Sequence, residues 1–397
     1  MPSSEHFAEF SHASFFDCVM RARYGKRIII FSFTRLVSRP KEANSIPKLL
    51  KVSIEMKNSS RLGLYMSQIR TEPRSTVSAS ELEVAERGEN WFKVQNRQTG
   101  NTCTIMDTFA EMFPMWAGRV LITADTEKWA LTAAEVATGL ATSVIMSPAE
   151  AGIEGIVPAD STPDGRVGVL IQMYNRSRFD LNGQMILRIG QCVMTCPTTS
   201  AFDAMPNAKR TLKVGRSLCL FGDGFQRKGL VGPRKVWKIP VMEGDFIVED
   251  RFGISETIAG GNFIMFAQDR ASGLKAAEEA VKAIRAGKNE VIMPFPGGIC
   301  RSGSKAGSLK YKLKASTNHP FCPRLRELVP DSEVPEGVKC VYEIVINGLS
   351  LEAVKKAMGN GVRTAAGVPG VVKISAGNYG GKIGPYKAFL KEAMETT

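Results

Sequence analysis

The chain has 397 residues, which is long enough for two or three compact domains. Apolar residues make up 44% and charged residues 23%, a composition typical of folded globular proteins rather than disordered or fibrous ones. No apolar run approaches the roughly 20 residues that a membrane-spanning helix needs, so we expect no membrane partner. Eight cysteines are too few for a disulfide scaffold and no cleavable signal peptide precedes them, which predicts a reduced, cytoplasmic protein.

The net charge of +13 is unevenly distributed along the chain. Residues 1–104 carry 16 Lys and Arg against 10 Asp and Glu, whereas the longer remainder carries 36 against 29 and is only mildly basic. That remainder has no basic cluster interleaved with aromatic residues, so we expect no nucleic-acid partner. A positive field of this size suits anionic small substrates.

Histidine and cysteine usage argues against a metal site and against covalent catalysis. The chain has three histidines, His6, His12 and His319, which is too few for a site built from imidazoles. Cys192 and Cys196 are closely spaced, but zinc would need two more ligands, and we expect buried thiols instead. The sequence has no Gly-x-Ser-x-Gly nucleophile motif, so a covalent acyl-enzyme is disfavoured.

The first hundred residues differ in character from the rest. Residues 1–104 contain 4 of the 37 glycines, are rich in Ser, Arg and Lys, and show no sustained apolar period. We interpret residues 1–98 as a poorly ordered N-terminal extension. It would not belong to the working protein if translation begins at one of the alternative starts, Met56, Met66 or Met106.

From about residue 100 the pattern alternates between strand and helix periods. In the first half we expect strands at 119–125, 142–148 and 167–174, helices at 126–141 and 179–192, an apolar stretch at 193–196 and antiparallel hairpins at 213–250. The apolar face of the first helix would comprise Trp129, Ala133, Val136 and Leu140.

In the second half we expect strands at 260–269, 290–296, 340–347 and 370–376, a helix at 272–287, and another helix capped by Ser350. Four strand–helix–strand units predict an α+β fold of two ferredoxin-like (split βαββαβ) lobes, at 99–258 and 259–397, with a hairpin insertion. The competing interpretation is a doubly wound parallel sheet. The hairpin stretch and the absence of a nucleotide-binding motif count against it.

Residues 298–305 (GICRSGSK) follow a predicted strand and nearly match a phosphate-binding P-loop. The order Gly-Ser-Lys is wrong and no apolar helix follows, so nucleotide hydrolysis is disfavoured. The free N–H groups of the turn, with Arg301 and Lys305 beside them, could cradle a carboxylate or phosphate. A flexible surface loop explains the pattern equally well.

Glu343 lies inside the apolar run CVYEIVING. If it is buried there, desolvation raises its pKa toward the range that a general acid or base needs. If the strand is half-exposed, the residue simply faces solvent, and strand alternation leaves the two interpretations even. The glycine-dense turns at 377–384 and 259–263 carry Asn378 and Asn262, which could approach a ligand or simply shape tight turns.

Several long segments closely resemble the formylmethanofuran–tetrahydromethanopterin formyltransferase family. They include DTFAEMF (107–113), RVLITADTEKWA (119–130), RIGQCVMTCPTTSAFDAMP (188–206), KVWKIPVMEGDFIVED (235–250), MPFPGGICRSGSKAGS (293–308), VPEGVKCVYEIVINGL (334–349) and VVKISAGNYGGKIG (371–384). The resemblance covers about residues 99–390 in one order with few gaps.

This resemblance implies a two-lobed α+β fold and reversible formyl transfer between methanofuran and N5 of tetrahydromethanopterin, in a ternary complex. It implies no metal, no permanently bound cofactor and no covalent intermediate. It also implies that Glu343 is the catalytic carboxylate. Candidate oxyanion donors and clamps for the acidic carriers are Ser304, Asn378, Arg301, Lys305 and Lys382.

Two departures from the family stand out. Residues 1–98 have no counterpart, and the mildly basic body differs from the acidic archaeal members. The second departure favours a role in formaldehyde oxidation to formate. The family implies either a homo-oligomer or a subunit of a formyltransferase/hydrolase complex. The alternative function is therefore a structural subunit of such a complex without turnover.

Overall fold

The computed structural model describes residues 18–24, 27–33 and 82–396. The chain divides into two compact units, Met1–Pro73 and Arg74–Thr397. In the first unit, β1 (Cys18–Tyr24) and β2 (Arg27–Phe33) form an antiparallel hairpin. Outside the described residues lie His6, His12 and the alternative starts Met56 and Met66.

The second unit is a mixed α+β structure with one large sheet and few helices. Its strands are β3 (Leu82–Arg87), β4 (Trp91–Asn96), β5 (Thr102–Met106), β6 (Phe109–Thr123), β7 (Glu150–Val157), β8 (Gly168–Asn175), β9 (Ser200–Asp203), β10 (Arg210–Leu212), β11 (Arg227–Val231), β12 (Arg234–Val241), β13 (Gly244–Glu249), β14 (Phe252–Ala267), β15 (Val291–Ile292), β16 (Lys305–Ala306), β17 (Ala315–Ser316), β18 (Cys340–Gly348), β19 (Val371–Ser375) and β20 (Tyr386–Phe389). Its helices are α1 (Glu127–Thr138), α2 (Arg178–Arg188), α3 (Val214–Leu218), α4 (Arg270–Ala286), α5 (Leu351–Ala366) and α6 (Leu390–Glu395).

The first lobe consists of β6-α1-β7 followed by β8-α2-β9. Its strands lie in the order β7-β8-β6-β9, and every neighbouring pair is antiparallel. The apolar faces of α1 and α2 pack on one side of this sheet against Val120, Ile122 and Ile171. The lobe therefore has its own hydrophobic core.

The second lobe repeats the plan with β14-α4-β15 followed by β18-α5-β19. The strand order is β15-β18-β14-β19, again with antiparallel neighbours. Phe263, Ile344 and Ile346 face α4 and α5 and form the core. The register pairs Asn262 with Val345 and Ile264 with Glu343, so these four residues lie on the opposite face.

The two lobes share one sheet because their first strands pair with each other. β14 runs antiparallel to β6, from Ile254 opposite Gly118 to Ala259 opposite Phe113. β11, β12 and β13 form the antiparallel hairpins that the sequence predicts, but only over residues 227–249, because α3 and a 3-10 helical turn occupy residues 214–222 of the predicted range 213–250. Among the described residues, no helix is long and apolar enough to cross a membrane.

Three short segments differ from the predicted strands. Residues 142–148 form turns, because the Ser147 hydroxyl binds the Thr142 backbone N–H and the Ser147 N–H binds the Ser143 carbonyl. Residues 193–196 follow a π-helical turn, and the strand begins only at Ser200. The predicted strand 290–296 is shortened to β15, because prolines at 294 and 296 cannot donate to a ladder.

The structure confirms the predicted cap of α5 but not the predicted apolar face of α1. Ser350 caps α5 as predicted, its hydroxyl accepting the Ala353 N–H at 3.1 Å. Of the predicted apolar face of the first helix, however, Val136 is 56% exposed, and Leu140, which lies beyond the last residue of α1, is 79% exposed. Alanines fill the core side of that helix instead. The large apolar side chains Val136 and Leu140 therefore do not mark the buried face of the helix.

The structure describes only part of the segment 1–98, for which the sequence predicts poor order. The hairpin β1–β2 lies within it, and so do β3 and β4. β3 pairs with β4 and β4 with β5, which is parallel to β19 of the second lobe. Phe92 and Val94 of β4 are buried in the core of that lobe. Residues 91–96 therefore belong to the folded second lobe rather than to a poorly ordered extension.

Candidate active site

A cleft with a volume of about 860 Å³ lies between the lobes. Its walls come from β6 and the 142–150 segment of the first lobe, and from β14 and β18 of the second. The segments 304–333 and 376–383 close its remaining sides. A volume of this size accommodates a substrate of cofactor dimensions.

Glu343 occupies β18 beside this cleft and is 3% exposed. Its carboxylate accepts the Ser304 N–H at 2.8 Å and the Ser304 hydroxyl at 2.5 Å. Burial raises the pKa of Glu343, and the two Ser304 hydrogen bonds oppose that rise. This burial confirms the interpretation in which Glu343 is enclosed rather than facing solvent. Glu343 lines a small separate cavity, whereas Ser304 lines the large cleft.

Lys305 lies next to Ser304 and begins a short chain of polar groups on the cleft wall. Its Nζ is 2.8 Å from His319 Nδ1, and His319 Nε2 is 3.8 Å from an Asp331 carboxylate oxygen. Nδ1 accepts from the ammonium, so Nε2 carries the proton and faces Asp331. In the sequence His319 was considered as a possible member of a metal site, and nothing local indicated this contact with Lys305, 14 residues away.

A second buried carboxylate, Glu111 on β6, holds the glycine-rich segment 377–384 against the cleft. Its oxygens accept the backbone N–H groups of Tyr379 at 2.7 Å, Gly381 at 3.0 Å, and Ile383 and Gly384 at 2.5 Å each. Burial alone would raise the pKa of Glu111, but these four N–H donors together hold it below its ordinary value. Glu111 is therefore ionised near neutrality.

The segment 377–384 can wrap a carboxylate because of its glycines. Gly380 and Gly381 have φ of 69° and 71°, left-handed values that glycine adopts without strain, and the turn they form brings the N–H groups of Tyr379 and Gly381 to one Glu111 oxygen. At Gly384 a Cβ would lie 2.4 Å from the Met112 carbonyl oxygen. Glu111 carries a sequence signal of its own, since it interrupts the apolar run FAEMF just as Glu343 interrupts CVYEIVING.

Asn378 lines the cleft, but its amide is occupied by local contacts. Its Nδ2 donates to Thr108 Oγ1 at 3.1 Å and to the Phe109 carbonyl at 3.2 Å. Its Oδ1 accepts the Gly380 N–H at 3.0 Å. These bonds tie the segment to β6 and make Asn378 a support of the cleft wall rather than a free oxyanion donor.

A third buried carboxyl, Glu150 on β7, marks another part of the cleft wall. It accepts the Val144 N–H at 3.0 Å and Asn347 Nδ2 at 2.6 Å. Burial raises the pKa of Glu150, opposed by those two bonds and by Arg176. Because Asn347 lies four residues beyond Glu343 on β18, Glu150 sits roughly 13 Å along the strand from Glu343.

The structure brings Ser304, Lys305 and Asn378 to the cleft wall beside Glu343, and leaves two of the predicted residues outside it. Arg301 is exposed and lines the small cavity, and Lys382 is exposed on the segment 377–384. Cys192 and Cys196 are half-buried rather than buried. In the part of the chain that the structure describes, no group of three potential metal-binding side chains occurs.

A family model described as formylmethanofuran-tetrahydromethanopterin formyltransferase matches residues 99–241. A second model, described as the proximal lobe of FTR, matches residues 244–393. The formylmethanofuran–tetrahydromethanopterin formyltransferase of Methanocaldococcus jannaschii is 55% identical over 299 residues, covering 74% of this chain and 99% of the relative. The enzyme of the same name from Methanopyrus kandleri is 56% identical over 296 residues, covering 74% and 98%.

Two solved structures are also similar. The formylmethanofuran:tetrahydromethanopterin formyltransferase of Methanosarcina barkeri superposes with a TM-score of 0.70 and 51% identity, over 73% of this chain and 97% of that one. A chain of the formyltransferase/hydrolase complex of Methylorubrum extorquens, solved with methylofuran, has a TM-score of 0.71 and 39% identity. That match covers 75% of this chain and 98% of the other.

Proposed function

The chain belongs to the formylmethanofuran–tetrahydromethanopterin formyltransferase family, and we propose that it transfers a formyl group between methanofuran and N5 of tetrahydromethanopterin. The observation that carries this proposal is a buried carboxyl, Glu343, held beside a cleft large enough for substrates of this kind. The match over nearly the full length of the relatives supports the same activity for this chain.

The proposed chemistry is direct transfer in a ternary complex. One amine attacks the formyl carbon on the other carrier, the new N–C bond forms, and the resulting oxyanion collapses as the old N–C bond breaks. The proton of the attacking amine ends on the departing amine. Holding both carriers in register supplies up to about 7–11 kcal/mol in ideal cases, and no permanent cofactor or covalent intermediate takes part.

Glu343 is the proposed proton carrier, and Ser304 connects it to the cleft. Burial raises the pKa of the Glu343 carboxyl above the ordinary value of a glutamate, toward the range in which a general acid or base works. Since Ser304 lines the cleft while its hydroxyl binds Glu343, that hydroxyl can relay a proton between carboxyl and substrate. Lys305, braced by His319, is the proposed clamp for an acidic group of a carrier.

We further propose that each lobe is ferredoxin-like. Numbering the strands of each lobe in chain order, both lobes have the order 4-1-3-2 with antiparallel neighbours, which supports this assignment. The boundary placed at residue 258 falls inside β14. We therefore place the start of the second lobe at Phe252, the first residue of that strand.

We also propose a pathway and an assembly in which the chain acts. The mildly basic body and the similarity to a chain of the Methylorubrum formyltransferase/hydrolase complex support a subunit role in formaldehyde oxidation to formate. A homo-oligomer is the other possible assembly, and a structural subunit without turnover is the alternative function. Size-exclusion chromatography with light scattering on the purified chain separates a self-assembled oligomer from a subunit that needs partners.

One assay tests the reaction itself. The purified full chain is mixed with formylmethanofuran and tetrahydromethanopterin, and the pterin absorbance is followed. We expect turnover, and for Glu343→Gln a fall in kcat of roughly 10²–10⁴-fold. Glu249→Gln is the matched control, because burial also raises the pKa of this carboxyl but it lies outside the cleft wall. Absence of turnover by the unaltered chain would favour the structural alternative, and full activity of Glu343→Gln would remove the role of that residue.

A further inference from the structure

Glu111 makes an unusually complete set of contacts for a residue with no place in the proposed chemistry. It is 2% exposed, and four backbone N–H groups of the segment 379–384 converge on its two oxygens. These donors lie about 270 residues away along the chain, as the separation of 268 residues for Tyr379 and 273 for Gly384 shows. Glu111 thus fixes a segment of the second lobe to the first strand of the first lobe.

Tyr379 extends this contact across the cleft. Its backbone N–H is held by Glu111, while its hydroxyl donates to the Ser304 carbonyl at 3.3 Å and accepts the Ala306 N–H at 3.1 Å. Burial raises the pKa of Tyr379, so the hydroxyl keeps the proton that it donates. The Tyr379 side chain therefore bridges from the segment held by Glu111 to the backbone on both sides of Lys305.

Ser304 is where this chain of contacts meets Glu343. Its carbonyl accepts from Tyr379, and its N–H and hydroxyl both donate to the Glu343 carboxylate. A displacement of Tyr379 would move the Ser304 peptide and lengthen both hydrogen bonds to Glu343. Bonds of this kind between a donor and an ionised acceptor weaken steeply with distance and angle.

We infer that Glu111 is a positioning residue for the reaction: through Tyr379 it holds Ser304 in the place where the serine orients Glu343. The inference rests on the proposed role of Glu343. It assigns to the glycine-rich segment 377–384 a purpose beyond shaping the cleft wall. It also makes correct placement of Glu343, on one lobe, depend on a carboxylate in the first strand of the other.

The sign of a pH shift separates positioning from simple electrostatics. The hydrogen bonds from Ser304 favour the ionised form of Glu343, so loosening them raises its pKa. Removing the negative charge of Glu111 without any displacement would lower that pKa instead. The neighbouring titratable groups, Cys300 and Tyr379, have pKa values raised by burial and remain protonated in the range measured.

The experiment compares kcat–pH profiles of the full chain and of Glu111→Gln and Tyr379→Phe, with each carrier saturating. We expect the profile of Glu343→Gln to lack the limb that reports titration of Glu343. In Glu111→Gln and Tyr379→Phe we expect that limb to move to higher pH by about half a unit or more. We also expect kcat to fall roughly 10-fold with smaller changes in KM, since the lost function is orientation. The double variant should lose little more than the worse single one, because both changes break one chain of contacts.

Asp203→Asn is the matched control. Asp203 is 6% exposed and accepts the Met205 and Gly253 N–H groups, but it lies outside the cleft wall, so the substitution should lower stability without moving the limb. An unmoved limb in Tyr379→Phe, or a limb moved to lower pH in Glu111→Gln, overturns the inference while leaving formyl transfer intact. If the unaltered chain is inactive, or if the limb persists in Glu343→Gln, the proposed role of Glu343 as proton carrier is wrong. The inference about Glu111 then fails with it.

Discussion

Replacing Glu111 by glutamine should lower the free energy of unfolding of the unit Arg74–Thr397 by about 3 kcal/mol at pH 7. The carboxylate accepts four backbone N–H groups. One amide oxygen accepts two at most, and the amide NH₂ then faces the other two donors. Losing two hydrogen bonds to an ionised acceptor costs about 3–6 kcal/mol, and we take the lower value because water reaches the exposed Ile383.

The effect should depend on pH in a defined direction. The folded pKa of Glu111 lies below its unfolded value of about 4.3, so its contribution is fully present above that value and is lost as the pH falls through the folded pKa. The difference between the unaltered chain and Glu111→Gln should therefore be constant from pH 8 to about 5 and shrink at lower pH.

Urea unfolding followed by tryptophan fluorescence measures this difference, because all four tryptophans, at 91, 116, 129 and 237, belong to this unit. Glu336→Gln, on an exposed turn, serves as the control and should stay within about 0.5 kcal/mol of the unaltered chain. Coincident unfolding midpoints at pH 7 would refute the reasoning. So would a difference that is as large at pH 3.5 as at pH 7.

Three further changes test other parts of the structure. Gly359→Ala should destabilise the fold by about 1–3 kcal/mol, because its Cβ would lie 1.9 Å from the Ala393 carbonyl oxygen; an unchanged melting temperature would contradict this close packing of α5 on α6. Lys305→Met should raise KM for the acidic carrier about tenfold and weaken the salt dependence of that KM. The same KM as in the unaltered chain at two ionic strengths would contradict a clamp at Lys305 that His319 holds in place. Arg166→Met, which removes ion pairs to two aspartates, should lower stability by about 2 kcal/mol in chemical unfolding, and a change below about 0.5 would show those pairs to be dispensable.

The sequence predicted the second lobe well because its signals are local. Ser350 caps α5, and the apolar period of that helix puts Val354, Met358 and Val362 in the core, as their spacing indicates. Residues 142–148 were predicted as a strand from their apolar character alone. There the hydroxyl contacts of Thr142 and Ser147 decide the conformation.

The candidate site was only partly predictable, because its contacts are long-range. The position of Glu343 in a strand could be read from CVYEIVING, but whether its face of the strand is covered depends on Ser304, 39 residues away. Glu111 and its four donors are separated by about 270 residues, and no local pattern connects them. Arg301 and Lys382 were chosen for charge and proximity to glycine, which do not determine where a side chain points.

The pairing of β6 with β14 has a mechanical consequence. These strands are 15 and 16 residues long, and each takes part in the sheet on both sides of the cleft. Hinged closure requires a few residues that can change their backbone dihedrals freely, whereas here six consecutive residue pairs from Gly118–Ile254 to Phe113–Ala259 hold the junction in register. The two lobes are therefore joined by a continuous hydrogen-bonded ladder rather than by a flexible linker, so rotating one lobe against the other would break residue pairs of that ladder.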